Sequence, residues 1–224
     1  MFFKNQLLRT GWIVLTAVGL LSLFASPSKA QLNSDNFETT LTSTYTVSVS
    51  GQTHVEHLFK IKNLSPTTYV NKYGLQIGSN RIQNIQVTHQ GQQLEPQIVQ
   101  DETQTSIGLT FEEKVVGKNK LNQFSISYQN PDLASVKGRV LEINIPAMAN
   151  PDYYDQHQAI LITPSQFGRP SRITPADHQF EQVDQNLKLR YSQLNGRGIS
   201  AIYGDEQIYE LAIKYHLQNP NNQP

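Results

Sequence analysis

The sequence predicts an all-β protein: two tandem antiparallel β-sandwich units of the immunoglobulin-like kind behind a signal peptide. Three observations carry this. Apolar and polar residues alternate with a period of two in one run after another, the pattern of sheets with one dry and one wet face. The runs are short and closed by Gly, Asn or Pro, as in sandwiches and barrels. The two halves also end alike. The first closes on Phe124-Ser125-Ile126-Ser127-Tyr128 and Asn130-Pro131, the second on Leu211-Ala212-Ile213-Lys214-Tyr215 and Asn219-Pro220. That repetition suggests a first unit at 31–130, a second at 131–218 and a tail at 219–224.

Residues 1–30 read as an address. Lys4 and Arg9 form a basic start, 11–24 is apolar, and Ser28 and Ala30 place small side chains before Gln31. That order is a secretory signal peptide, and its apolar run is shorter than the ~20 residues a spanning helix needs. Cleavage is expected; retention as an N-terminal anchor is the alternative. The mature chain would carry 15 basic against 18 acidic side chains, a net charge of −3. No second apolar run of spanning length follows, so no membrane span is expected after cleavage.

In the first unit, Tyr45, Val47 and Val49 share one face of a strand, and Gly51-Gln52 reads as a hairpin turn. Val55, His57, Phe59 and Ile61 share a face of the next strand. A strand follows Asn80-Arg81 and turns out at Gln90-Gly91. Ile107, Leu109 and Phe111 alternate, as do Phe124, Ile126 and Tyr128. The segment 130–134 is a connector. In the second unit, 140–145 is a strand stopped by Pro146, and 149–155 is a polar loop. A strand at 159–163 is stopped by Pro164. The stretch 165–176, with Pro170 and Pro175, reads as irregular. Residues 177–184 fit a helical turn or a strand. Leu187, Leu189 and Tyr191 alternate, Asn195-Gly196 is a hairpin signal, and strands follow at 199–203 and 208–217.

Composition excludes several functions. The chain has no Cys, so it holds no disulfide, thiolate metal site or Cys nucleophile. Basic and acidic groups balance at 18 each, which gives no footprint for nucleic acid. Against 16% charged residues stand 24 Gln and 17 Asn.

The motifs that resemble chemistry fail on spacing. His54-Val55-Glu56-His57 lies on a strand, where the two His point to opposite faces, and it lacks the i, i+4 pair of a zinc protease. Asp177-His178 has no Ser in a Gly-flanked strained turn to activate. Glu112-Glu113 and Asp205-Glu206 are adjacent acids that do not face each other across a substrate. Asp152 and Asp155 lack the dense acid spacing of a calcium loop. No catalytic residue, metal or cofactor is therefore expected. The candidate surface-binding residues are loop aromatics and their neighbours: Tyr153 and Tyr154 in one loop, Phe167 and Arg169 in another. Flat rings beside amide donors suit protein or carbohydrate contact.

Several segments together carry a resemblance. They are 55–63, 82–87 with Gly91, 107–111, 142–146, Thr163-Pro164-Ser165-Gln166-Phe167-Gly168-Arg169-Pro170 and 202–209. Behind a signal peptide, this series resembles the N-terminal, non-catalytic region of bacterial exported transglutaminase-like proteins. In that family a Cys-His-Asp core lies downstream, and no position here matches it. The resemblance implies an exported accessory module, not an enzyme, making envelope or extracellular protein contacts. A carbohydrate-binding module for cell-wall or surface glycans is the alternative. The expected partner is a protein or glycan at the cell envelope.

Overall fold

The computed structural model describes residues 35–204. The signal peptide, the 208–217 strand, Asp205-Glu206 and the 219–224 tail lie outside the described residues. Within them the chain is all-β, with two single 3-10 turns at Pro151–Tyr153 and Ser165–Phe167 as its helical geometry. None of the described helices is long and apolar enough to cross a membrane.

The strands in chain order are β1 (Phe37–Val47), β2 (Thr53–Asn63), β3 (Lys72–Ile77), β4 (Gln83–His89) and β5 (Gln92–Gln93). Then come β6 (Gln97–Gln100), β7 (Thr105–Thr110), β8 (Leu121–Asn130), β9 (Ala134–Lys137) and β10 (Val140–Ile145). The last five are β11 (Gln156–Pro164), β12 (Pro170–Thr174), β13 (Gln179–Val183), β14 (Asn186–Tyr191) and β15 (Ile199–Tyr203). They form three open sheets. An eight-stranded sheet runs β13-β14-β11-β1-β2-β8-β4-β5, a four-stranded sheet β12-β15-β10-β9, and a three-stranded sheet β3-β7-β6.

Alternation explains the large sheet. Along β1, Thr39, Leu41, Ser43, Tyr45 and Val47 are buried, and their intervening neighbours are less so. In β2 the buried set is Thr53, Val55, Phe59, Ile61 and Asn63. In β8 it is the even positions 122–130. The antiparallel register sets Leu41 opposite Phe59 and Phe59 opposite Phe124, so the apolar sets fall on one face. Both smaller sheets cover that face. The Tyr73 ring of β3 lies 4.9 Å from both Phe59 and Phe124. At the other end a side chain on Gly51 would touch Val136 of β9. Buried residues from all three sheets make one core.

Several expectations meet a different outcome. The eight-stranded sheet takes β1, β2, β4, β5 and β8 from 31–130 and β11, β13 and β14 from 131–218. The join is β1 against β11, parallel, with Thr40 opposite Gln156, where the alternation suggested antiparallel pairing. Period-two alternation fixes the face of a strand but says nothing of its neighbour's direction. Val49, expected on the buried face, is 57% exposed, because β1 ends at Val47 and 48–52 form the turn. The stretch 165–176 is not irregular throughout, since it contains β12. Pro170 opens that strand at a sheet edge, where its missing N–H costs little. The open choice at 177–184 resolves to strand β13. Asn195-Gly196 has the positive φ of a type I′ turn, 51° and 72°. It does not make a hairpin, because β14 and β15 belong to different sheets.

Candidate functional site

Polar side chains gather at one place on the rim and, separately, at one in the core. The outer one starts at the end of β11. Pro164 leads into the Ser165–Phe167 turn, and the Gly168 N–H donates to the Ser165 carbonyl at 2.9 Å. Gly168 takes φ +71° and ψ −162°, a conformation a side chain would resist. The turn drives Phe167 into the core at 7% exposure and throws Arg169 outward. The Arg169 guanidinium stands 4.6 Å over the Phe180 ring of β13. Arg139, from the β9–β10 turn, lines the same open depression of about 380 Å³, with Gln166, Gly138 and Gly204. An exposed guanidinium such as that of Arg169 can bind a carboxylate or phosphate in planar, forked fashion.

The inner place lies at the middle of the large sheet. Ser43 Oγ is 2.9 Å from His57 Nδ1 and 3.3 Å from His157 Nε2. His57 Nε2 is 3.0 Å from the Tyr128 hydroxyl. One hydroxyl of β1 thus bridges imidazoles from β2 and β11, and β8 supplies the fourth member. Burial, reinforced by neighbouring His157, lowers the His57 pKa to about 4. Burial likewise lowers that of His157 and raises Tyr45 to about 12. It also raises Tyr128, with Tyr45 adding to the effect. The imidazoles are neutral at pH 7; both nitrogens of His57 and Nε2 of His157 meet core hydroxyls, while His157 Nδ1 is buried without a partner.

The four candidates from the sequence part company. Arg169 is exposed and lines the outer depression. Phe167 lines it too, but as a buried residue rather than a surface ring. Tyr153 is half-buried on its 3-10 turn. Tyr154 is turned into the protein: its hydroxyl is 2.7 Å from that of Tyr73, and its ring centroid is 6.3 Å from Phe59. The two Tyr therefore do not form a surface platform together. A loop aromatic reads as exposed in sequence, yet a one-turn loop packed against a sheet has a dry side.

The remaining acids and His sort equally plainly. His54 is exposed and His57 faces inward. Asp155 Oδ2 accepts the Thr39 N–H at 2.6 Å, tying the start of β11 to β1. Asp177 forms a two-point pair with Arg197, at 2.7 and 3.3 Å, which holds its carboxyl below the ordinary value. His178 lies beside the Tyr191 ring. Among the described residues, no three His, Asp or Glu gather as metal ligands would. The sequence reading missed Ser43, His157, Arg139 and Phe180. A signal existed for the inner set: Ser43 interrupts Leu41 and Tyr45 on one strand face, and His57 interrupts Val55 and Phe59 on the next. For Arg139 and Phe180 there was none, because the chain separates them from Arg169 by 30 and 11 positions.

No family model matches the chain, and no curated protein does. Among solved structures it is similar to yeast LTA4 hydrolase in complex with bestatin, at 11% identity and a TM-score of 0.44, over 82% of this chain and 31% of that one. It is similar to an M1 zinc metallopeptidase from Deinococcus radiodurans, at 9% identity and a TM-score of 0.40, over 76% of this chain and 42% of that one. It is also similar to an aminopeptidase N family protein from Idiomarina loihiensis, at 12% identity and a TM-score of 0.43, over 75% of this chain and 29% of that one. The chain spans less than half the length of each.

Proposed function

We propose that this chain is an exported, non-catalytic β-sandwich module that makes contacts with an envelope or extracellular protein, as the accessory region of a transglutaminase-like protein would. It acts as one body, since both halves contribute strands to the large sheet. The observation that carries the reading is the split between the two polar places. The imidazoles are engaged by hydroxyls inside the core. The outer depression offers guanidinium, amide and aromatic groups, which bind rather than transform. The favoured ligand is an acidic group, such as a carboxylate-bearing segment of a partner.

The test is titration of purified 31–224 with poly-glutamate and with a neutral β-glucan, beside amidase, peptidase and crosslinking assays. Binding of poly-glutamate that Arg169→Ala weakens tenfold supports the reading. Turnover in any of the three assays sinks it. Binding of the glucan alone moves the assignment to the glycan-binding alternative.

A further inference from the structure

The edges of the three sheets are not treated alike. A free edge presents unpaired N–H and C=O groups, and proteins blunt it with charge, Pro, a bulge or brevity. β5 has two residues. β12 opens with Pro170 and its register shifts at Pro170/Arg172. β13 carries Glu181, 3.8 Å from Arg190, and lies under Arg169. In β9, Lys137 pairs with Glu142 at 3.2 Å. β3, the opposite edge of its sheet, includes Lys72 and Gly74.

β6 carries no charge, Pro or register shift within its own strand, and it is twice the length of β5. Its four residues, Gln97-Ile98-Val99-Gln100, are all exposed and uncharged. It pairs with β7 alone among the described strands. Ile98 and Val99 are 46% and 68% exposed and point to opposite faces. A strand laid alongside would meet an apolar neighbour on each face.

The outward hydrogen-bonding groups can be named. The Asp101 N–H donates to the Gln104 carbonyl at 3.0 Å, so 101 and 104 are a hydrogen-bonded pair. Such pairs alternate along an antiparallel ladder. With Val99 opposite Ser106 and Gln97 opposite Gly108, Val99 and Gln97 spend their backbone groups on β7. Ile98 and Gln100 turn theirs outward.

Charge brackets this edge. Exposed Glu95 stands before it, and exposed Asp101 and Glu102 follow. The Asp101 carboxylate accepts the N–H groups of Thr103 and Gln104 at 2.8 and 2.9 Å, which keeps it ionised. A second copy pairing antiparallel about Ile98 would set Glu95 against Asp101 at both ends, and opposed like charges destabilise a sheet pair. Complementarity runs toward a segment with basic ends.

We propose that β6 is a strand-addition site for an extended segment of a partner protein, β-branched or aromatic at its centre and basic at both ends. Main-chain bonds to Ile98 and Gln100 supply the affinity, and the flanking acids select the partner. The site lies apart from the Arg169 depression, and neither proposal depends on the other.

The experiment titrates 31–224 with a fluorescent heptapeptide, Thr-Val-Ile-Val-Thr between terminal lysines, and with the same centre between glutamates. The lysine peptide is expected to bind at least tenfold more tightly, with amide shifts confined to β6 and β7. Gln100→Pro removes an outward donor without touching the ladder to β7, and should weaken binding tenfold or more. Val99→Lys, at a solvated position, should weaken it as well. Equal binding of the two peptides, unchanged affinity in both variants, shifts at another edge, or no binding at all would overturn the proposal. A dimer that Gln100→Pro dissociates would overturn it in favour of self-pairing.

Discussion

At the middle of the large sheet, Ser43, His57, His157 and Tyr128 are enclosed and bonded to one another. At the rim, Arg139 and Arg169 stand over an open depression. The two places hold comparable numbers of polar side chains, yet they differ in what water can do. Inside, a group that loses its partner has no replacement, so each bond is tied to stability. Outside, solvent can stand in for a lost partner, so a change there costs little stability. Substitution and titration should therefore act on folding in the first place and on binding in the second.

The largest effect tests the apolar frame around the inner cluster. Phe59 is fully buried, stacked 4.8 Å from Phe124. Phe59→Ala should destabilise the protein by about 3–5 kcal/mol, read as a fall in the urea midpoint. A loss below 1 kcal/mol would mean that the two sheets are not packed as described.

Acid comes next. Burial holds His57 near pKa 4, below its ordinary 6.5, so the unfolded chain takes up the proton first. The stability His57 contributes is complete above about pH 6.5 and is lost as pH falls toward 4. The loss is about 3 kcal/mol. His157, shifted the same way by burial, adds to it. Denaturant midpoints between pH 7.5 and 4 should show this slope, and His57→Gln should flatten it. An unchanged slope in the variant would remove His57 from the account.

Ser43→Ala deletes the bridging hydroxyl and leaves imidazole nitrogens unpartnered in the core. About 1–3 kcal/mol should be lost, with little change in strand content by circular dichroism. The smallest effect belongs to the rim. Arg169→Ala gives up an exposed cation–π contact and should cost no more than about 1 kcal/mol, while weakening the affinity for acidic polymers tenfold. A large stability loss there, or none at Ser43, would reverse the comparison.

How far the sequence could be read follows from the same physics. β1, β2, β7, β8, β10 and β14 were legible because each has one wet and one dry face, and alternation records that. β6 was not, because all four of its residues are exposed and nothing alternates. β12 hid behind Pro170, which excludes an interior strand but not an edge. The parallel β1–β11 pair leaves no local trace at all, so two units seemed natural where one sheet crosses between them. At the candidate site, Arg169 was legible as a charged residue in a Gly-Pro loop. The burial of Phe167 and Tyr154 was not, because it depends on which side of a tight turn meets the sheet.

The β1–β11 pair has a consequence for how the chain reaches this state. The bond from Asp155 to Thr39 spans 116 positions, and β11 lies between β1 and β14 in the finished sheet. The first strand made is thus completed by one of the last. Closing so long a loop costs entropy before any contact repays it, and high contact order slows folding into the millisecond-to-second range. Until β11 arrives, β1 is an exposed edge over a half-built core, and a fragment ending at residue 130 would keep it so. Synthesis that stalls midway leaves a sticky intermediate rather than a folded half.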